Sequence, residues 1–128
     1  MAKDNKPRIV AVDDETDFVA TLKDYFGLRG YEIDVASRAV EGISLINEKK
    51  PDVIILDLKM PGISGDEVLA LVKSKYPDAK VIFVTAFDDA GKTRARLLAA
   101  GAHAYLDKPL NSLKELESVI NKAHTEEL

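Results

Sequence analysis

The chain has 128 residues and a net charge of −4. A domain of this size buries roughly two-thirds of its unfolded surface, and the lack of cysteine excludes disulfides, thiolate metal sites and thiol nucleophiles. Mild acidity argues against direct nucleic-acid binding, and the first apolar run, residues 9–12, is too short for a signal peptide or a membrane span. We therefore expect a cytoplasmic protein that does not enter membranes.

Five short apolar runs are predicted to be strands: residues 8–12, 32–36, 53–57, 80–85 and 102–106. The stretch between each pair leaves room for one crossover helix, which parallel strands require. Strands that alternate with helices are typical of an α/β domain with a parallel sheet.

Residues at helical spacing predict a helix after each strand, with residues 37–49 forming the second helix. Capping boxes predict that the third and fifth helices begin after Ser64 and Ser112. Glycines predict the ends of the first and fourth helices, at Gly30 and Gly101. The densest basic group is expected to be a solvated helix face: Lys92, Arg94 and Arg96.

Strand composition predicts the order of the sheet. The first, third and fourth runs are apolar throughout, as expected for central strands that helices cover on both faces. The second run alternates and the fifth is mixed, so we place both at the edges. We predict a doubly wound sheet of five parallel strands in the order 2-1-3-4-5, with five helices. Ligands bind where such a chain reverses direction, here between strands one and three.

Acidic residues end both strands at this switch point. Asp13, Asp14 and Glu15 follow the first strand, and Asp57 ends the third. Two unit charges about 4 Å apart repel by roughly 4 kcal/mol at an effective dielectric near 20. A divalent cation with oxygen ligands is the simplest compensation, and we predict one here.

Four polar positions share the predicted strand ends: the acids at 13–15, Asp57, Thr85 and Lys108. Each alone has an ordinary explanation, as a helix N-cap, a turn residue, a strand-end hydroxyl or a surface lysine. Together they suit phosphoryl transfer to Asp57, with a cation and Lys108 offsetting charge and Thr85 donating a hydrogen bond. The side chain of Ala86, next to Thr85, is small enough to leave room for the phosphoryl group.

Four strings resemble the receiver domain of response regulators in two-component signal transduction: Val12-Asp13-Asp14-Glu15, Leu56-Asp57-Leu58-Lys59-Met60-Pro61-Gly62, Val84-Thr85-Ala86 and Tyr105-Leu106-Asp107-Lys108-Pro109. The resemblance covers nearly the whole chain. It implies a flavodoxin-like fold and one receiver domain over residues 1–128, with its core at about residues 8–122.

The resemblance also implies the chemistry of the site. Asp57 accepts a phosphoryl group from a histidine kinase or a histidine phosphotransfer protein. Mg²⁺ (or Mn²⁺) is bound directly by Asp14 and Asp57, through water by Asp13, and by the main-chain carbonyl of Lys59. The domain assists its own phosphorylation and dephosphorylation but is a signalling domain and not an enzyme.

Further residues receive roles by the same resemblance. Lys108 and Thr85 contact the phosphoryl group, beside Ala86. Tyr105 matches the switch aromatic, whose ring moves inward when Thr85 is drawn toward phosphate. The Lys108–Pro109 peptide bond is expected to be cis, a form accessible mainly before proline.

The resemblance implies two partner surfaces. The first helix is the expected kinase-docking face. The fourth helix, fifth strand and fifth helix, near residues 88–100, 102–106 and 112–123, form the expected face for an output domain, a partner protein or a homodimer formed on activation. Plain core packing explains the apolar residues of both surfaces equally well. The sequence ends at residues 125–128 without an effector segment, and we expect either a stand-alone receiver or the N-terminal part of a longer regulator.

Three other functions compete with the receiver interpretation. A haloacid-dehalogenase-type phosphatase has a second acid two residues after its nucleophile, where this chain has Lys59, and carries a cap domain. A flavin-binding module needs a first loop that cradles phosphate, which the acids at 13–15 would repel. A phosphorylation-independent pseudo-receiver would typically lack one of the signature residues, and none is missing.

Two bulky side chains near the predicted site are not dictated by the motifs. Lys59 lies two residues after Asp57, and Phe87 lies two residues after Thr85. We hypothesise that Phe87 shields the acyl phosphate from water and lengthens its lifetime.

Overall fold

The computed structural model describes residues 6–125. One sheet of five parallel strands has the order β2-β1-β3-β4-β5, which confirms the predicted order. The strands are β1 Ile9–Val12, β2 Ile33–Ala36, β3 Val53–Leu56, β4 Lys80–Thr85 and β5 Ala104–Asp107. The helices are α1 Thr16–Leu28, α2 Ala39–Lys49, α3 Gly65–Lys75, α4 Lys92–Ala99 and α5 Leu113–Thr125.

Residues 1–5 and 126–128 lie outside the described part of the chain. Within residues 6–125, none of the helices has the length and apolarity needed to cross a bilayer.

The sheet separates two apolar cores because successive residues of a strand face opposite sides. On one side, α2, α3 and α4 cover the alternate strand residues, including Val10, Leu56 and Phe83. On the other side, α1 and α5 cover the remaining residues, including Ala11 and Ile55. The central strands are buried on both faces, whereas β2 and β5 are partly exposed, as their mixed composition predicted.

Strand β5 begins two residues later than the sequence predicted. The backbone before it closes α4: Gly101 adopts a φ of +112°, and the Ala102 N–H donates to the Leu97 carbonyl at 3.0 Å. A positive φ is accessible to glycine at little cost. Ala102 therefore belongs to the helix end, and β5 pairs with β4 only from Ala104 onward.

The predicted helix starts are supported by hydrogen bonds. Ser64 and Glu67 form a reciprocal capping box at the start of α3. At the start of α5, the Ser112 hydroxyl accepts from the Glu115 N–H at 3.0 Å. Gly30 follows the end of α1, as predicted.

Gly65, the first residue of α3, packs directly under the end of β3. A Cβ atom at this position would lie 2.8 Å from the Asp57 carbonyl oxygen and 2.9 Å from Leu58 Cα. The Gly65 N–H also donates to the Leu58 carbonyl at 3.0 Å. Helix α3 can therefore approach the strand end this closely only because residue 65 lacks a side chain.

A polar network joins α1 to α5 on the opposite side of the sheet from α3. The Glu117 carboxylate accepts from the Tyr25 hydroxyl at 3.0 Å and the Tyr31 hydroxyl at 2.8 Å. It also pairs with the Arg29 guanidinium at 2.9 Å, and Asn121 donates to the Tyr31 hydroxyl. We call these five residues the α1–α5 seam.

Candidate functional site

The parallel register brings the acids of β1 and β3 to one edge of the sheet. Val12 pairs with Leu56, so Asp13 and Asp57 each follow a strand at the same level. Their main-chain N–H groups continue the ladder, to the Ala36 and Val12 carbonyls respectively, both at 3.1 Å. The sheet therefore fixes the main-chain positions of Asp13 and Asp57.

Three carboxylates meet at this edge. Asp13, Asp14 and Asp57 each offer an oxygen, and these oxygens lie within 4.8 Å of one another. Asp13 and Asp57 are 2% and 7% exposed, whereas Asp14 faces solvent. Hard divalent cations bind such oxygen sets and keep other positions open, so the cluster suits Mg²⁺.

One lysine offsets part of this negative charge. Lys108 Nζ donates to Asp13 Oδ2 at 2.8 Å and to Glu15 Oε1 at 2.5 Å, and lies 3.7 Å from Asp57 Oδ2. Burial raises the pKa of Asp13, and this outweighs the opposing effect of the Lys108 hydrogen bond. Burial alone would lower the pKa of Lys108, but its bonds to Asp13 and Glu15 raise that pKa above its ordinary value.

The contact between Glu15 and Lys108 was missed by sequence reasoning. Glu15 occupies the N-cap position of α1, in line with the ordinary explanation given for the acids at 13–15, but its side chain makes no capping hydrogen bond. The two residues are 93 positions apart, so local spacing carries no signal for their contact.

The Thr85 hydroxyl ends β4 inside the site. Thr85 is 1% exposed, and its Oγ1 accepts from the Phe87 N–H at 3.3 Å. Ala86 between them is exposed and lines the cleft. The Lys59 ammonium lies 4.4 Å from the centre of the Phe87 ring. The two residues that the sequence singled out separately are therefore in cation–π contact at the mouth of the site.

The Lys108–Pro109 peptide bond is cis, as predicted. The Lys108 N–H donates to the Thr85 carbonyl at 3.0 Å, which extends the pairing of β4 and β5 beyond their last residues. The main chain thus holds the predicted lysine and threonine side by side.

Tyr105 does not line the main cleft. Its ring is 4% exposed and already points inward, and its hydroxyl donates to the Phe87 carbonyl at 2.9 Å. Arg94 on α4 donates to the Tyr105 carbonyl at 2.9 Å, and Arg96 pairs with Asp66. The exposed basic group of α4 therefore also binds neighbouring elements.

A cleft of about 1020 Å³ opens above the acids. The floor and one side carry the residues predicted for the site: Asp14, Asp57, Lys59, Thr85, Ala86, Lys108 and Pro109. The other side is formed by α1 and the start of α5. Its apolar side chains had not been assigned to the site from the sequence: Phe18, Leu110 and Leu113. The cleft therefore has a polar floor next to an apolar wall.

Comparison with known proteins places this geometry in a family. Residues 9–121 match the family model described as "Response regulator receiver domain". The response regulator MprA of Mycobacterium leprae (strain TN) is 35% identical over 109 residues, covering 85% of this chain and 47% of that protein. MprA of Mycobacterium sp. (strain KMS) is 36% identical, covering 85% and 46%. The chain thus spans just under half the length of these curated relatives.

Solved structures agree with the sequence matches. A response regulator receiver domain protein from Clostridium thermocellum has a TM-score of 0.83 and 32% identity, covering 94% of this chain and 95% of that one. The response regulator TrrA from Thermotoga maritima, in complex with Mg²⁺ and BeF, has a TM-score of 0.77 and 36% identity, covering 91% and 97%. The chain belongs to the response regulator receiver domain family, whose members are signalling domains.

Proposed function

We propose that this chain is a phosphoacceptor domain in a two-component phosphorelay and that Asp57 takes the phosphoryl group. The observation that carries the proposal is the placement of the Asp57 carboxylate. It lies on the cleft floor, within the cluster of three acids and 3.7 Å from Lys108 Nζ. A nucleophile here is open to an incoming phosphodonor and surrounded by groups that can offset charge.

The donor is a phosphohistidine of a histidine kinase or a histidine phosphotransfer protein. A carboxylate oxygen of Asp57 forms a bond to phosphorus while the bond from phosphorus to the imidazole nitrogen breaks. The electron pair of the broken bond stays on that nitrogen, and the imidazole leaves neutral because its other nitrogen carries a proton.

Metal binding is assigned to the acids at the strand ends. Asp14 and Asp57 would hold Mg²⁺ (or Mn²⁺) directly, Asp13 would do so through water, and the Lys59 main-chain carbonyl would complete the protein ligands. When bound, the ion offsets negative charge on the phosphoryl oxygens. Asp13 and Asp57 are buried beside Lys108, whose one positive charge does not balance their two negative charges, and this favours a cation there.

Lys108 and Thr85 are assigned to the phosphoryl oxygens. Phosphoryl transfer depends mainly on positioning and charge stabilisation, which a lysine ammonium supplies as a compact positive charge. The Thr85 hydroxyl accepts from the Phe87 N–H and therefore keeps its own hydrogen free to donate. Ala86 leaves space beside it for the phosphoryl group.

The phosphorylated site is coupled to a partner surface through the segment after β4. Thr85 and Phe87 lie on this segment, and the Tyr105 hydroxyl binds the Phe87 carbonyl from β5. A shift of Thr85 toward phosphate would therefore move the Phe87 carbonyl, which accepts the hydrogen bond of the Tyr105 hydroxyl. We propose that the α4–β5–α5 face then binds an output domain, a partner protein or a second copy of the chain.

The domain acts as one receiver unit over residues 1–128, with its core at about residues 8–122. It works in the cytoplasm, where histidine kinases are phosphorylated from ATP, and without direct contact with nucleic acid. It assists its own phosphorylation and dephosphorylation through the residues above.

A small phosphodonor tests the proposal without knowledge of the kinase. The protein is incubated with acetyl phosphate and Mg²⁺, and its intact mass is measured. We expect one phosphoryl adduct on the wild type, none on Asp57→Asn, and none when a chelator removes the metal. The isosteric amide keeps the size of residue 57 but cannot attack phosphorus.

An adduct that persists on Asp57→Asn would refute the assignment of the phosphoacceptor. A wild type that takes no phosphoryl group from any small donor, although folded, would favour a phosphorylation-independent pseudo-receiver.

A further inference from the structure

The resting position of Lys108 is set by two carboxylates and not by Asp57. Its ammonium donates to Asp13 at 2.8 Å and to Glu15 at 2.5 Å, whereas the nearest Asp57 oxygen, at 3.7 Å, is beyond hydrogen-bond distance. The ammonium also lies 4.8 Å from the centre of the Phe18 ring, on α1. The lysine is therefore drawn toward the start of α1 and away from residue 57.

Main-chain hydrogen bonds fix the position of Glu15 at the start of α1. Its N–H donates to Asp13 Oδ1 at 2.9 Å, and its carbonyl accepts from the N–H groups of Phe18 and Val19. Its side chain makes no capping bond to the helix and is bound to Lys108 instead. The N–H and the carbonyl of Glu15 are both hydrogen-bonded, so its main chain is fixed where the carboxylate reaches Lys108.

Glu15 is not one of the three acids that can hold a cation together. A cation bound by Asp13, Asp14 and Asp57 would share the charge of Asp13 and repel the ammonium. Glu15 would keep its full charge and remain the carboxylate that holds Lys108 on that side. The contact with Glu15 therefore persists when the contact with Asp13 weakens.

We propose that Glu15 is a positioning residue that holds Lys108 in a resting position and competes with the phosphoryl group for this lysine. The inference rests on the proposed function, since it concerns how firmly the phosphorylated state is held. Lys108 must give up or share its bond to Glu15 when it turns toward an oxygen on Asp57. Glu15 then sets the balance between the resting and phosphorylated states without touching the reacting atoms.

The expected effect is modest because the Glu15 side chain is 63% exposed. Ion pairs with an exposed partner contribute little, so removal of the competitor should strengthen binding of a phosphoryl mimic by about two- to fivefold.

Beryllofluoride, a mimic of the phosphoryl group, provides the test. Its dissociation constant is measured by calorimetry at saturating Mg²⁺ for the wild type, Glu15→Gln and Asp17→Asn. The control Asp17→Asn removes the same unit of charge from the same cleft wall, where Asp17 makes no ion pair with Lys108. We expect Glu15→Gln to bind about two- to fivefold more tightly than the wild type, and Asp17→Asn to stay close to it.

The outcomes separate this inference from the proposed function. If the wild type binds no beryllofluoride and takes no phosphoryl group, the proposed function itself fails. If the wild type binds the mimic but Glu15→Gln binds it equally or more weakly, the competition is refuted. Equal tightening in Glu15→Gln and Asp17→Asn would also overturn it, because the effect would then be one of general charge.

Discussion

Carboxylates are central to both the α1–α5 seam and the acidic strand ends, but the partners of these carboxylates differ between the two regions. In the seam, one carboxylate, Glu117, receives two tyrosine hydroxyls and an arginine. At the strand ends, within residues 6–125, Asp13, Glu15 and Asp57 share the ammonium of Lys108, and Asp14 adds a further negative charge. In the first region one arginine balances the charge of the carboxylate, and in the second negative charge exceeds positive charge.

This difference determines which region can respond to ligands. A carboxylate whose partners are already in place gains little from a cation, so we expect the seam to hold α5 on α1 whether or not Mg²⁺ is bound. The acids at the strand ends repel one another until a cation arrives. The charges of the α1–α5 seam are therefore balanced, whereas those of the acidic strand ends are not. We expect the effect of a mutation on stability to depend on Mg²⁺ at the strand ends and not in the seam.

The largest effect is expected from packing beneath the acids. Gly65→Ala would place a methyl group 2.8 Å from the Asp57 carbonyl oxygen. Because backbone and ring atoms surround the position, we expect unfolding in urea to show a loss of about 3 kcal/mol. Gly27→Ala is the matched control, since a Cβ there meets nothing within 4 Å and alanine favours helix. A loss in both variants would show that the close approach is not the cause.

Glu117→Gln tests the seam. The amide keeps the shape of the side chain but loses the charge that strengthens its two tyrosine hydrogen bonds and its ion pair with Arg29. We expect a loss of about 2 kcal/mol in the free energy of unfolding, unaffected by Mg²⁺. Glu115→Gln changes an exposed carboxylate on the same helix and should cost much less. A Mg²⁺-dependent loss in Glu117→Gln would break the contrast between the two regions.

The same residue predicts a pH dependence. Burial alone would raise the pKa of Glu117, but bonds from Tyr31, Arg29 and Tyr25 lower it below its ordinary value of 4.5. A lowered folded-state pKa stabilises the protein above the unfolded pKa, and this contribution is lost as the pH falls through the folded-state pKa. The stability difference between wild type and Glu117→Gln should therefore shrink as the pH is lowered below about 4.5. A difference that stays constant there would argue against a charged Glu117.

Asp57→Asn tests the acidic strand ends, with an effect that should change sign. In the presence of a chelator, removal of one repelling charge is expected to raise the free energy of unfolding by about 1 kcal/mol. At saturating Mg²⁺ the wild type gains stability from binding the ion, so the variant should become the less stable protein. Urea unfolding in both conditions measures this. An unchanged sign would contradict the idea that repulsion prepares the site for a cation.

The smallest effect concerns the lifetime of the acyl phosphate. Phe87 lies at the mouth of the cleft in contact with Lys59, where it can exclude water. We expect Phe87→Ala to lose its phosphoryl group several-fold faster than the wild type in a mass time course. Phe87→Leu keeps most of the bulk and should stay near the wild-type rate. An unchanged or slower rate in the alanine variant would remove the shielding hypothesis.

Much of the fold could be predicted because apolar residues recur along the chain with the spacing of strands and helices. The sheet order followed from which strands are apolar on both faces, and the meeting of Asp13 and Asp57 followed from parallel strands that end at one edge. The start of β5 was predicted too early because Ala102 looks like a strand residue but closes α4.

Contacts between distant side chains were beyond sequence reasoning. Glu117 on an amphipathic helix has the pattern of an ordinary solvated charge, and its three partners lie on or just after another helix. Glu15 likewise meets Lys108 only because the fold brings the start of α1 next to the end of β5. Such contacts depend on rotamers and tertiary packing, which composition and spacing do not encode.

The ladder bond between the Lys108 N–H and the Thr85 carbonyl has a consequence for how such a domain can diversify. The spacing of these two residues is inherited from paired strands, and the loops that follow contribute little to it. Mutations in those loops can therefore change the surrounding surface while the main chains of Lys108 and Thr85 stay paired. The fold thus lets the surface beside the cleft vary while these two residues keep their relative placement.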